Sequence, residues 1–332
     1  VTRRRALVTG GCGFVGRHFA RRLLDDGYAV TIVDDLSTGV TPDRWPDHLR
    51  PSAGLASALT VHHADFRDYA RDTVPAFDLI LHLAAVVGGR MTIEGDPLRV
   101  ATDLAIDAVF FNWLARHHSA VRKVLYFSSS AAYPVSAQGR RESRALAEEE
   151  IDFEAALGVP DLTYGWSKLT GEFLARHAAR TYGIDVCIYR PFSGYGEDQD
   201  FTYPFPSIVR RVGRRESPLV VWGSGEQRRD FIYIGDVVDA VLVSAPELKP
   251  GEALNLGTGD GVSFRWLAET ACRVLGHDAP VVNDASKPEG VFSRVADCRR
   301  LFRHYRPVTS LERGIEIVHL YQRRAGLLDT GP

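Results

Sequence analysis

The chain is poor in cysteine, carries almost no net charge and has no long apolar run, and each shortage closes off a class of protein. Its four cysteines, Cys12, Cys187, Cys272 and Cys298, lie far apart without paired spacing, so no metal site and no disulfide framework is expected. The adjacent pairs His62-His63 and His117-His118 lack the i, i+4 spacing of a helical metal site. No stretch reaches the roughly eighteen apolar residues of a transmembrane helix. A net charge of -2 over 332 residues gives no electrostatic case for nucleic acid or an anionic membrane surface. The first residues run through Arg3, Arg4 and Arg5 straight into an apolar strand, unlike a secretory leader, so a cytoplasmic location and small-molecule partners are expected.

What is present is an ordinary globular composition, 45% hydrophobic, with a clear rhythm. Short β-branched runs alternate with helical patterns. The strands are expected at Ala6 to Thr9, Ala29 to Val33, Leu59 to His63, Leu79 to Leu83 and Val124 to Phe127, with helices from Phe14 and over Leu104 to His117. This alternation predicts an α/β fold: a doubly wound, Rossmann-type parallel sheet with its ligand crevice at the strand C-termini.

After Arg190 the punctuation changes to Pro191, Gly194, Gly196, Pro204 and Pro206. The domain change is placed there: residues 1–189 for dinucleotide binding, with 230–260 returning to that domain, and 190–332 as a smaller mixed α/β substrate domain. Strands are expected at Leu219 to Trp222, Phe231 to Ile234 and Leu254 to Leu256, and helices near Asp236, Phe264 and Leu311. The apolar residues of the Leu104 helix spread too widely for one stripe, which predicts a second cover besides the sheet, either another subunit or a C-terminal segment.

Thr9-Gly10-Gly11-Cys12-Gly13-Phe14-Val15-Gly16 follows the first strand and opens a helix. Gly10, Gly13 and Gly16 suit a tight turn, close approach to a pyrophosphate and helix-on-strand packing. Asp34, at the end of the second strand, can accept from the adenosine ribose. The next residues, Asp35, Leu36 and Ser37, offer a 2'-phosphate no partner, so NAD is expected rather than NADP. Tyr164 and Lys168 stand at i and i+4 on one helix face, where the ammonium should lower the phenol toward the range of a general base. The strand ending at Phe127 delivers Ser128-Ser129-Ser130 to the same crevice.

These pieces together resemble the extended short-chain dehydrogenase/reductases, in particular the NAD-dependent nucleotide-sugar epimerases and dehydratases. The matching segments are Thr9 to Gly16, Asp34 to Gly39, Asp65, His82-Leu83-Ala84-Ala85, Ser128 to Tyr133, Tyr164 to Lys168, Arg190-Pro191-Phe192 and Arg229-Asp230-Phe231. The resemblance implies Ser129, Tyr164 and Lys168 as the catalytic group. It implies cofactor contacts from Gly10, Gly13, Phe14, Val15, Gly16, Asp34, Asp35, Ser37, Thr38, Gly39, Asp65, Phe66, Leu83, Ala84 and Ala85, with Tyr164 and Lys168 also reaching the cofactor. For a nucleotide-diphosphate sugar it implies Gly88, Gly89, Arg90, Ser129, Ser130, Ser193 and Arg229. It also implies a homodimer built on the Leu104 and Tyr164 helices.

Dehydratases of that group carry glutamate two positions before the tyrosine of the serine motif, and GDP-mannose 3,5-epimerase carries cysteine. Here that position is Ala131, preceded by Ser130. C4 epimerisation, which needs neither, is therefore expected first. A 3,5-epimerase, favoured by Gly88-Gly89, Trp222 to Gln227 and Pro288 to Val291, and a 4,6-dehydratase stay open; the lysine of the 3,5-epimerase falls near Tyr203. Two departures touch binding: Ser193 replaces an expected asparagine, and Asp103 is the nearest polar residue to a missing asparagine. Glu148, Glu149 and Glu150, and the run Arg210, Arg211, Arg214 and Arg215, are read as solvated faces.

Overall fold

A computed structural model describes residues 3–74, 76–88, 90–140 and 144–329, with residues 90–92 described for the backbone only. In chain order the nucleotide-binding half runs β1 (Arg5–Thr9), α1 (Phe14–Asp25), β2 (Ala29–Asp34), the short α2 (Ala53–Ala56), β3 (Leu59–His63), α3 (Phe66–Asp72) and β4 (Leu79–His82). Next come the short α4 (Arg90–Gly95) and α5 (Pro97–Val100), then α6 (Thr102–Arg116), β5 (Val124–Phe127), α7 (Leu162–Tyr182) and β6 (Val186–Pro191). The second half comprises β7 (Ser193–Tyr195), α8 (Pro204–Gly213), β8 (Leu219–Trp222), β9 (Arg228–Tyr233), α9 (Ile234–Ser244), β10 (Ala253–Leu256), β11 (Gly261–Ser263), α10 (Phe264–Val274), β12 (Val281–Asp284), β13 (Ser293–Arg294) and α11 (Leu311–Arg324).

Seven strands form one parallel sheet in the order β10-β6-β5-β4-β1-β2-β3. Crossovers to either side of β1 put helices on both faces, so its inner strands are apolar. Ala6 and Val8 face one core with Phe19, Leu23, Val237 and Val241, while Leu7 faces the other with Phe110, Trp113 and Ala175; the edge strand β3 leaves Thr60, His62 and His63 exposed. The reversal of strand order beside β1 opens the crevice at Thr9 and His82. The expected Rossmann-type sheet is the one observed. Strand β10 returns to it after the chain has traversed β7 to α9, pairing in parallel with β6.

The remaining strands build two smaller sheets, one around β9 with β7, β11 and β13, and one of β8 with β12. A third core packs them against α8, α10 and α11 through Phe205, Ile208, Leu267 and Ile315. Besides the sheet, α6 packs along α7, so this cover of the Leu104 helix is neither another subunit nor a C-terminal segment, the two that were expected. Leu104 itself remains exposed, as do Trp166 and Phe173 on α7. No helix among the described residues is long and apolar enough to cross a membrane.

Candidate active site

The turn after β1 is built for close approach. Gly10 has φ +69°, and a Cβ there would stand 2.8 Å from the Ala84 amide nitrogen. At Gly16 a Cβ would meet the Gly10 carbonyl at 2.2 Å, so helix and turn can touch only if both residues are bare. Gly13 caps α1 without any side-chain bond to the first helical amides, and only the Gly10 carbonyl, at 3.3 Å, lies near its missing Cβ. Open amides at a helix N-terminus are what a pyrophosphate requires.

Asp34 ends β2 beside this turn. Its carboxylate accepts from the Cys12 amide (2.9 Å) and the Leu36 amide (2.9 Å), so it clamps the glycine turn. Burial raises its pKa against the pull of those amides. Val40 donates to the Cys12 carbonyl, folding the Asp35-Ser37-Thr38-Gly39 loop over the turn. Cys12 is fully buried, and burial pushes its thiol up to about 12, so it is unreactive.

Asp65 caps α3 by accepting from the Arg67 amide at 2.7 Å, and the Arg67 guanidinium lowers its pKa. The neighbouring Phe66 turns its side chain away into the aromatic core, with ring centroids 5.5 Å from both Phe110 and Trp113. Only its backbone is left for a cofactor. Thr9 Oγ1 receives the Leu83 and Ala84 amides, fixing the Leu83-Ala84-Ala85 segment beside Gly10.

The serine motif and α7 are pressed together. Asp161 donates its amide to the Ala131 carbonyl at 3.0 Å, and a Cβ on Gly165 would meet that carbonyl at 2.4 Å. Leu162 adopts φ +56°, a left-handed conformation costing a non-glycine residue about 1–2 kcal/mol, two residues before Tyr164. Arg294 holds the turn from outside through Asp161 at 2.6 Å. The result places the Ser129 hydroxyl near enough to the Tyr164 phenol to lower its pKa, while the Lys168 ammonium lies 5.7 Å from the centroids of Tyr164 and Tyr126.

Ser128 is committed elsewhere, donating to Glu172, which also forms a two-point ion pair with the fully buried Arg190. Of the three serines, Ser129 is the one that acts on the phenol's pKa. Ser130 is buried in the turn it begins.

The electrostatics correct one expectation. Burial raises Tyr164 above its ordinary value; Lys168 and the Ser129 hydroxyl pull it down, and Asp103 and Asp107 push it up again. Lys168 alone does not deliver a phenolate near neutrality, because burial costs the phenolate more than one ammonium returns. Lys168 is itself raised, its burial outweighed by Tyr164, Asp107 and Asp103.

On the substrate side, Arg229 lies on β9, donating to the Val291 carbonyl at 3.0 Å beside the Phe264 ring. Ser193 opens β7, and Gly88 lies beyond Ala85, partly exposed. Gly89 and the Arg90 side chain fall outside the described residues. Tyr203, at the start of α8, is within electrostatic reach of Tyr164, and burial drives its phenol well up.

Another reading needs correction. Glu148 is 3% exposed and accepts the Asn255 amide at 2.9 Å, so it is a buried structural acid rather than part of a solvated run. Arg210, Arg214 and Arg215, partly or fully exposed as expected of a solvated face, reach the carbonyls of Leu327, Asp329 and Gly276 respectively. Missed by the sequence reading was a buried polar chain under the site: Thr9 Oγ1 to His82 Nδ1 (2.8 Å), His82 Nε2 to Asp107 (3.1 Å) and Tyr126 to Asp107 (2.6 Å). Two acids at i, i+4 on an otherwise apolar helix face, Asp103 and Asp107, were the available signal.

A family model described as the NAD dependent epimerase/dehydratase family matches residues 6–257. The chain belongs to that family. Its cofactor is NAD, and the bare glycine turn, the open amides of α1 and Asp34 fit that group. The GDP-L-fucose synthase of Escherichia coli K12 is 28% identical over 91% of this chain and 90% of its own. A dTDP-4-dehydro-6-deoxy-D-allose reductase of a Streptomyces species is 29% identical over 90% of this chain and 89% of its own. The crystal structure of Thermotoga maritima UDP-glucose 4-epimerase with UDP-glucose superposes with a TM-score of 0.81, at 26% identity over 97% of this chain and 99% of that one. Relatives of similar identity thus carry names of different reactions.

Proposed function

We propose that this chain is a nucleotide-sugar C4 epimerase acting through a transient 4-keto sugar. The observation that carries the reading is the juxtaposition of Tyr164 with the Lys168 ammonium and the Ser129 hydroxyl, in a turn that continues with Ser130 and Ala131 instead of an acid. The likeness to the Thermotoga 4-epimerase supports it. Bound NAD supplies the hydride acceptor and, when oxidised, a further positive charge. Ser129 holds the C4 oxygen, Tyr164 takes its proton as the C4 hydride leaves, and Lys168 favours the ionised phenol. Return of that hydride to the opposite face of the ketone, with the proton restored by Tyr164, inverts C4 and regenerates the cofactor.

Arg229 suits the substrate diphosphate by its forked geometry. At Tyr203 burial, Tyr164 and Asp200 all raise the phenol, whereas Lys168 and Ser129 pull Tyr164 down, so Tyr203 is the poorer base for removing a carbon-bound proton at C3 or C5. The deciding experiment incubates the purified protein with a panel of nucleotide-sugars in deuterated water and follows the products by NMR. C4 inversion without carbon-bound deuterium is expected. Deuterium at C3 or C5 would refute simple C4 epimerisation, loss of the C6 oxygen would identify a dehydratase, and accumulating NADH a net oxidoreductase.

A further inference from the structure

Asp103 enters the site from the first turn of α6 and is 1% exposed. One carboxylate oxygen accepts the Val86 amide at 2.6 Å, tying α6 to the loop that follows Ala84-Ala85. The other, Oδ2, is buried with no hydrogen-bond partner. A buried carboxylate oxygen left unpaired is costly, and such groups in a structure call for a reason.

The charged and titratable groups around it are few. On its own helix stands Asp107, already engaged by His82 and Tyr126. From β4 comes His82, which burial disfavours as a cation, and from β5 Tyr126, whose phenol burial holds protonated. Glu172 on α7 is bound to Arg190. Lys168 and Tyr164 on α7, the helix packed along α6, complete the set among the described residues: the Lys168 ammonium lies 5.7 Å from the centroid of Tyr126, whose hydroxyl donates to Asp107 one turn on from Asp103, and both Lys168 and Tyr164 feel Asp103 electrostatically.

We propose that Asp103 is a titrating partner of the Tyr164–Lys168 pair, a positioning residue whose charge sets how readily Tyr164 gives up its proton. The inference rests on Tyr164 as the group that takes the C4 hydroxyl proton. Ionised, Asp103 steadies the Lys168 ammonium but opposes a second negative charge on Tyr164. Protonated, it lifts that opposition and can donate through Oδ2. The two ionisations therefore work against each other as pH rises.

The test is NMR titration of the NAD-loaded protein labelled at aspartate Cγ and tyrosine Cζ. One aspartate signal, absent from Asp103→Asn, is expected to titrate with a midpoint of about 6. The tyrosine signal absent from Tyr164→Phe is expected to titrate on the order of one pH unit lower in Asp103→Asn than in the parent. An aspartate midpoint near the ordinary ~3.9, or an unmoved Tyr164, overturns the proposal. Asparagine keeps the oxygen that accepts from Val86; should that variant not fold, Lys168→Met probes the pair from the other side. Losing the cation must then raise the aspartate midpoint, and an unchanged one overturns the proposal. Neither signal requires turnover, so failure of the C4 epimerase reading shows separately, as no inverted product.

Discussion

Substituting alanine for Gly171 tests how tightly α7 is seated on the polar chain beneath the site. The added Cβ would stand 1.8 Å from Tyr126 Oη and 2.3 Å from Asp107 Oδ2, the two atoms joined by a 2.6 Å hydrogen bond. Neither can yield cheaply, because Asp107 also holds His82 and the Tyr126 ring is fully buried. Overpacking costs about 1–3 kcal/mol and a lost hydrogen bond to a charged group about 1.5–3 kcal/mol, so Gly171→Ala should destabilise by about 3–5 kcal/mol. At about 2.1 cal/mol/K per residue, that is a fall in Tm of roughly 4–7 °C for this chain length. Differential scanning calorimetry and urea unfolding read both quantities. Tyr126→Phe removes the nearest atom but leaves a ring carbon 2.5 Å from the new methyl, so the double variant should be less destabilised than the sum of the singles without regaining parental stability. A Gly171→Ala protein within about 1 kcal/mol of the parent, or strict additivity with Tyr126→Phe, would refute this account of the contact.

Two further outcomes are expected. Glu172→Gln leaves Arg190, 0% exposed, without its counter-ion, and should cost about 3–5 kcal/mol in urea unfolding; a loss below about 1 kcal/mol would show the ion pair to be dispensable. Trp166→Glu replaces one of the exposed apolar residues of α6 and α7, which include Leu104 and Phe173, by a charge, and should convert a dimer to a monomer in analytical ultracentrifugation. A parent protein that sediments as a monomer would refute dimerisation through this face.

Strands β1, β4 and β5 were legible because both their faces are buried, which forces unbroken apolar runs such as Val124 to Phe127, whereas β6 (Val186–Pro191), equally buried, was not expected. The glycine turn was legible because its spacing answers to steric limits that no other residue meets. Less could be read where meaning depends on distant partners. Glu148 looks solvated beside Glu149 and Glu150 until Asn255, more than a hundred residues on, turns its amide toward it. Arg228 and Arg229 begin β9 but look like loop, since their neighbours β11 and β13 come from separate segments. Ser128, Ser129 and Ser130 differ only in which way each points, and that is decided by α7. The sign of the shift at Tyr164 was missed for a related reason: i, i+4 spacing shows the lysine but neither the depth of burial nor the acids across the helix interface.

Strand β10 has a consequence for how this chain could be cut and recombined. It lies at the edge of the nucleotide-binding sheet, yet it is reached only after the chain has built β7 to α9, and Asn255 at its centre holds Tyr133, Glu148, Leu146 and Asp297. A fragment stopping near Pro191 would lose that edge and strand those partners. The two halves are stitched instead of strung, so exchanging substrate-side segments between relatives requires carrying residues 253–256 with the first half.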